Sequence, residues 1–166
     1  MQRITSTTIF GHSGPGHIDI FDLAGIQLFN ADLEAEGDPD RVREFKEAIN
    51  TADGLLIATP KYNHGVPAVT KNAIDWASRP AKDVPLNKKP VVILRVSPGI
   101  TDSARGQSQL RQAFEFTNSY CMPQPEILVY RAHQKFDDKG NLTDEATRTY
   151  LWKYLNSLHN WVHNFI

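Results

Sequence analysis

The residues best equipped for chemistry lie in one short stretch, PKYNHGVP, from Pro60 to Pro67. It joins an apolar run, GLLIATP (54–60), to a segment with Val69, Ala73 and Trp76 on one helical face. Tyr62 offers a flat face or edge to an aromatic ligand. Asn63 carries both donor and acceptor groups for a heterocycle. His64 suits acid–base work near neutral pH. Gly65 lets the chain or a ligand approach closely. The helix that begins at Pro67 adds free N–H groups and the positive end of a dipole. The plain alternative is a proline-bounded turn with a packed Tyr62 and a solvent-facing His64. A second small-residue loop, SPGITDSARGQ (97–107), comes after another apolar run. Its exposed amides could face a ligand, although Pro98 and Gly99 are also ordinary turn residues.

Other chemistries find less support. The six histidines are His12, His17, His64, His133, His159 and His163. His159 and His163 are one helical turn apart, as zinc ligands can be, but no acidic residue or cysteine stands near them in sequence. A solvated helix end accounts for them, and no metal site is expected. GHSGPG (11–16) has Pro15 where a nucleophile elbow needs glycine, and it precedes a strand. Neither standard glycine-rich nucleotide motif occurs. Cys121 is the only cysteine, which excludes an intrachain disulfide and reads as a packed thiol.

The elements that must position these loops alternate. HIDIFDL (17–23), GLLIATP (54–60), KPVVILRVS (89–97) and EILVYR (126–131) read as strands. The second and third are continuous apolar runs, as in strands buried on both faces. Helices are expected over 36–53, with Asp38 as cap and Pro39 in the first turn, after Pro67, and around Leu110, Ala113 and Phe114. A last helix is expected from Thr143, with Leu151, Leu155, Leu158 and Val162 as its apolar stripe. Strand–helix alternation implies an α/β protein with a mostly parallel sheet and helices on both faces. Ligands then bind beyond the carboxyl ends of the strands, where both loops fall.

The bulk numbers fit one domain over 1–166. Eighteen basic and 19 acidic residues leave a formal charge of −1. That argues against a nucleic-acid partner, an anionic membrane surface or a strongly acidic electron carrier. No apolar run approaches the roughly 20 residues of a membrane span. The amino terminus lacks a signal-peptide core, so a cytoplasmic location is expected.

The stretch ATPKYNHGVPAVTKNAIDWASRP resembles the signature of the NAD(P)H-dependent FMN reductases, the flavodoxin-like group that includes quinone and chromate reductases. The matching positions are Pro60, Tyr62, Asn63, Pro67, Lys71 to Trp76, Ser78, Arg79 and Pro80. IDIFDLAGIQLFNADLEAEGDP is similar to the family's second strand and the segment after it. The resemblance runs from about His17 to about Arg131. It implies a flavodoxin-like three-layer sandwich that binds FMN and takes a hydride from NAD(P)H. The electrons would pass to a quinone, a free flavin or another small acceptor. It implies that Pro60, Lys61, Tyr62 and Asn63 hold the flavin ring, largely through backbone groups. Ser97, Pro98 and Gly99 would flank the other side. No catalytic side chain is implied. A homodimer or homotetramer is implied, with the Asn72–Trp76 helix near a subunit contact.

Two departures stand out. Lys61 replaces the usual glutamate. The first strand, its phosphate-binding loop and the helix after it are not recognisable before His17. A missing central strand would leave two rows of buried backbone groups unpaired, at about 1–3 kcal/mol each. RITSTTIF (3–10) is rich in β-branched residues and can fill the gap. Only six residues, 11–16, then separate it from the next strand, too few for a parallel crossover, so antiparallel pairing is expected. The alternative is a truncated or misassigned start. The competing functional expectation is a flavin-free relic acting as a structural or interaction subunit.

Overall fold

The computed structural model describes residues 7–11, 17–60, 62–63, 65–96 and 104–165; for 7–11, 96 and 104–107 it describes the backbone alone. The elements are β1 (Thr7–Gly11), β2 (Ile18–Asp22), α1 (Ala31–Glu36), α2 (Asp40–Thr51), β3 (Gly54–Thr59) and α3 (Ala68–Ala77). Then come β4 (Pro90–Val96), α4 (Ala104–Phe116), β5 (Tyr120–Cys121), β6 (Ile127–Val129) and α5 (Glu145–His163). The sheet runs β2-β1-β3-β4, with β5 and β6 both pairing with β4. It is open, and every strand but β1 points the same way.

Three layers result from how the strands alternate. Leu55, Ile57, Val91 and Ile93 face Phe45 and Ile49 of α2, Ala73 and Ile74 of α3, and Leu110 and Phe114 of α4. Leu56, Val92 and Ile127 face Tyr154 of α5, with Leu151, Leu155, Leu158 and Trp161 around it. The expected stripe of α5 is therefore the covering of one sheet face. Its polar tips are satisfied too. The Tyr154 hydroxyl donates to the Ile93 carbonyl at 2.8 Å, and the Trp161 indole to the Tyr120 carbonyl at 2.9 Å. Burial pushes the Tyr154 phenol well above its ordinary range. At the edge of this layer a side chain on Gly54 would lie 2.5 Å from Val162 Cγ2, so α5 approaches β3 there only because Gly54 is glycine.

β1 fills the gap as the β-branched run anticipates. It pairs antiparallel with both neighbours, Thr7 with Asp22 and Ala58, and Gly11 with Ile18 and Gly54. Both rows of backbone groups thereby gain partners.

Three expectations need correction. Asp38 does not cap α2; Pro39 holds that position and makes no side-chain cap bond. Asp38 instead takes two hydrogen bonds from buried Lys46, at 2.7 and 2.9 Å. Burial of Lys46 demands an anion, and that demand outweighs the cap. The local pattern gives no sign of α1 or the short β5, and the strand over 126–131 shortens to Ile127–Val129.

The third correction concerns α5. It starts at Glu145, and Asp144 caps it by accepting from the Thr147 amide at 3.0 Å. Asp144 also accepts from Lys135 Nζ at 2.8 Å and from the Thr147 hydroxyl. These bonds favour the carboxylate and draw its pKa from 3.8 down to about 2. A depressed acid contributes stability above its unfolded pKa and loses it as the pH falls through the folded value. The thermal midpoint should therefore fall between about pH 4 and about pH 2, and Asp144→Asn should flatten that fall. Parallel pH profiles of the two proteins would contradict this account of the cap.

Candidate functional site

The carboxyl ends of β3 and β4 build one rim. Thr59 ends β3 and pairs with Arg95 of β4. Its hydroxyl donates to the Pro60 carbonyl at 3.2 Å and lies 3.4 Å from the Thr70 hydroxyl on α3. This ties the start of the loop to the first turns of the helix after it. The loop then folds on itself. Tyr62 N–H donates to the Gly65 carbonyl at 3.3 Å, and Gly65 N–H to the Tyr62 carbonyl at 2.8 Å. Asn63 makes the reversal with φ of +48°, a left-handed conformation asparagine tolerates better than most residues. The Tyr62 side chain is left 56% exposed, and that of Asn63 is exposed as well.

Gln109 of α4 pins the loop from outside. Its Oε1 accepts from the Val66 amide at 3.1 Å. A side chain on Gly65 would lie 3.2 Å from the same oxygen, so glycine permits this approach. One hydrogen bond thus brings the helix after the second loop against the first loop. Of the seven positions expected to bind, Pro60, Tyr62 and Asn63 sit together on this turn. Lys61, Ser97, Pro98 and Gly99 lie outside the described residues, as does His64.

Arg95 lies beneath the rim at 2% exposure, where burial lowers its pKa. Sequence reading singled out neither Arg95 nor Gln109. Arg95 sits in an apolar run where a charge at the last inward position was the one visible signal. Gln109 carried no signal, because its partner is 43 residues away.

The helix behind the loop explains much of the long signature. The Asn72 side chain accepts from the Phe29 amide at 2.8 Å and donates to the Gln27 carbonyl at 2.9 Å. The Trp76 indole donates to the same carbonyl at 2.8 Å. Trp76 is fully buried, edge-on to Phe29 with ring centroids 5.0 Å apart. Arg79 donates from Nε to both carboxylate oxygens of Glu34, at 2.8 and 2.9 Å. These residues clamp the strap that leads from β2 to α1 and so hold α3, and the loop at its start, against the chain's own core.

The other candidates resolve as structure. Cys121 is partly buried, burial pushes its thiol up, and its sulfur accepts from Arg111 at 3.5 Å. The rings of His159 and His163 lie 4.1 Å apart. Among the described residues no three or more His, Cys, Asp or Glu gather as metal ligands would. Nor is any described helix long and apolar enough to cross a membrane.

An open, mostly parallel sheet of order 2-1-3-4-5, with its distinctive loop beyond β3, defines a flavodoxin-like α/β protein. The chain belongs to the NADPH-dependent FMN reductase family, whose sequence pattern it matches over residues 10–134. It is 42% identical over 145 residues to an NAD(P)H-dependent FMN reductase of Pseudomonas aeruginosa, covering 87% of this chain and 78% of that one. It is 38% identical over 144 residues to a 2-hydroxy-1,4-benzoquinone reductase of Burkholderia, with the same coverage of each chain. Among solved structures it resembles FerB, a flavoenzyme NAD(P)H:(acceptor) oxidoreductase of Paracoccus denitrificans. That likeness has a TM-score of 0.77 at 30% identity and covers 86% of this chain and 78% of FerB.

Proposed function

We propose that this chain is an FMN-dependent NAD(P)H oxidoreductase whose acceptor is a quinone or a free flavin. The carrying observation is the turn at Tyr62–Gly65, held open to solvent and pinned by Gln109, in a chain of this family. Relatives named for FMN reduction and for quinone reduction support the substrate classes. When bound, FMN supplies two-electron transfer, from the NAD(P)H hydride to the acceptor.

The chain's own residues bind and orient. Tyr62 presents its ring to the flavin, and Asn63 offers a donor and an acceptor to the edge of a heterocycle. That donor set fits the ring end of the cofactor. Likeness to the family supports the same part for Pro60 and Lys61 and for Ser97, Pro98 and Gly99. The whole of 1–166 acts as one domain, cytoplasmic and assembled as a homodimer or homotetramer.

The test is NAD(P)H oxidation by the purified protein with FMN and a simple benzoquinone. Turnover should require both NAD(P)H and FMN. Oxidation at the rate of a protein-free control would refute the reading. The direction of β1 favours a second reading, a flavin-free structural subunit. Flavin retained after gel filtration would exclude it.

A further inference from the structure

The ring loop is fastened at both ends. At its start the Thr59 hydroxyl donates to the Pro60 carbonyl and lies against Thr70. At its exit the Val66 amide donates to Gln109 Oε1 at 3.1 Å. A backbone N–H only donates, so the atom it meets must be the oxygen, and this fixes which way the Gln109 amide is turned. The fastening point is itself rigid. Gln109 stands on α4 next to Leu110, which is 1% exposed and packed in the core against the sheet. On the same turn of helix Arg111 donates to the Met122 carbonyl at 2.9 Å and holds α4 against the chain after β5.

The turn needs such a fastening. Its closing bond from Tyr62 N–H to the Gly65 carbonyl is long, at 3.3 Å, and Asn63 within it holds a left-handed conformation with φ of +48°. A turn closed in this way is soft on its Gly65 side, and the pin at Val66 falls on that side. Gly65 also leaves room for the Gln109 oxygen, since a Cβ there would lie 3.2 Å from it. The Gln109 side chain is exposed, so water can replace its bond and folding gains little from it. What the bond fixes is where the loop stands.

We propose that Gln109 is a positioning residue for flavin. Its amide oxygen holds Tyr62 and Asn63 in their binding arrangement before the ligand arrives, so binding does not have to order the loop. The inference rests on the functional reading above and adds to it the residue that prepares the ring loop. The experiment titrates flavin-free wild type, Gln109→Ala and Gln109→Glu with FMN and follows flavin fluorescence, in enough salt to screen a surface charge. Gln109→Ala should raise the dissociation constant by about twofold to twelvefold, the factor that one neutral hydrogen bond is worth. Gln109→Glu keeps an acceptor oxygen at the same reach and should bind as wild type does. The thermal midpoints of the three flavin-free proteins should agree, as expected for an exposed position. Wild-type affinity in Gln109→Ala overturns the inference. So does Gln109→Glu binding as weakly as Gln109→Ala, or a fall in midpoint that accompanies the loss of affinity. Each of these leaves the oxidoreductase reading intact, because the wild type still binds FMN. A wild type that binds no FMN overturns both.

Discussion

Replacing Trp76 by alanine should lower the unfolding free energy by about 3–5 kcal/mol, a large part of the stability of an ordinary domain. Trp76 is fully buried, and its removal takes away the edge-on contact to Phe29 at 5.0 Å. The indole hydrogen bond to Gln27 goes as well. Asn72 still donates to that carbonyl, so the loss is mainly apolar burial and the cavity left behind. Urea denaturation checks this: the midpoint should fall with little change in slope. Trp152→Ala is the control. Trp152 is exposed on α5, and its replacement should stay within about 0.5 kcal/mol of wild type. Equal losses for the two variants would refute the clamp. The result also bears on why this helix is so distinctive in sequence. Its Asn72 and Trp76 are engaged within the chain, and they hold the rim loop by fixing α3 behind it.

Tyr62→Ala should weaken flavin binding by about fivefold to 150-fold while leaving stability nearly unchanged. A flat aromatic ligand stacked on an aromatic side chain gains about 1–3 kcal/mol, which is that range of factors. Tyr62 is more than half exposed, so little burial is lost when it is truncated. The turn beneath it is made by backbone bonds between Tyr62 and Gly65 and by the left-handed Asn63, and alanine at 62 preserves both. Tyr62→Phe should bind nearly as wild type, because the proposed contact is made by the ring and not by the hydroxyl. Equilibrium titration with FMN and with riboflavin reads both variants. The loss should be the same factor for the two flavins, since the ring is common to both. Unchanged affinity in Tyr62→Ala would remove this loop from the flavin site.

The class of fold is legible in the local pattern, and so is the position of the loop proposed to bind flavin. Continuous apolar runs at 54–59 and 90–96 require strands buried on both faces, and amphipathic segments between them require helices to cover those faces. That alternation puts the loop at Tyr62 and Asn63 beyond a strand end. Even the antiparallel β1 was legible, from its β-branched residues and a link too short for a parallel crossover. These features depend on neighbours within a few residues, which is the range over which periodicity and chain length act.

Long-range packing settles which distant groups meet. It gave Asp38 to Lys46 rather than to the helix start, set Gln109 against Val66, sank Arg95 beneath the rim and closed Asn72 and Trp76 on the strap at Gln27. The contacts of Gln109, Asn72 and Trp76 span 43 to 49 residues. Such partners are set by strand register and by how the helices settle on the sheet, and a local pattern of apolar and polar residues carries no trace of either.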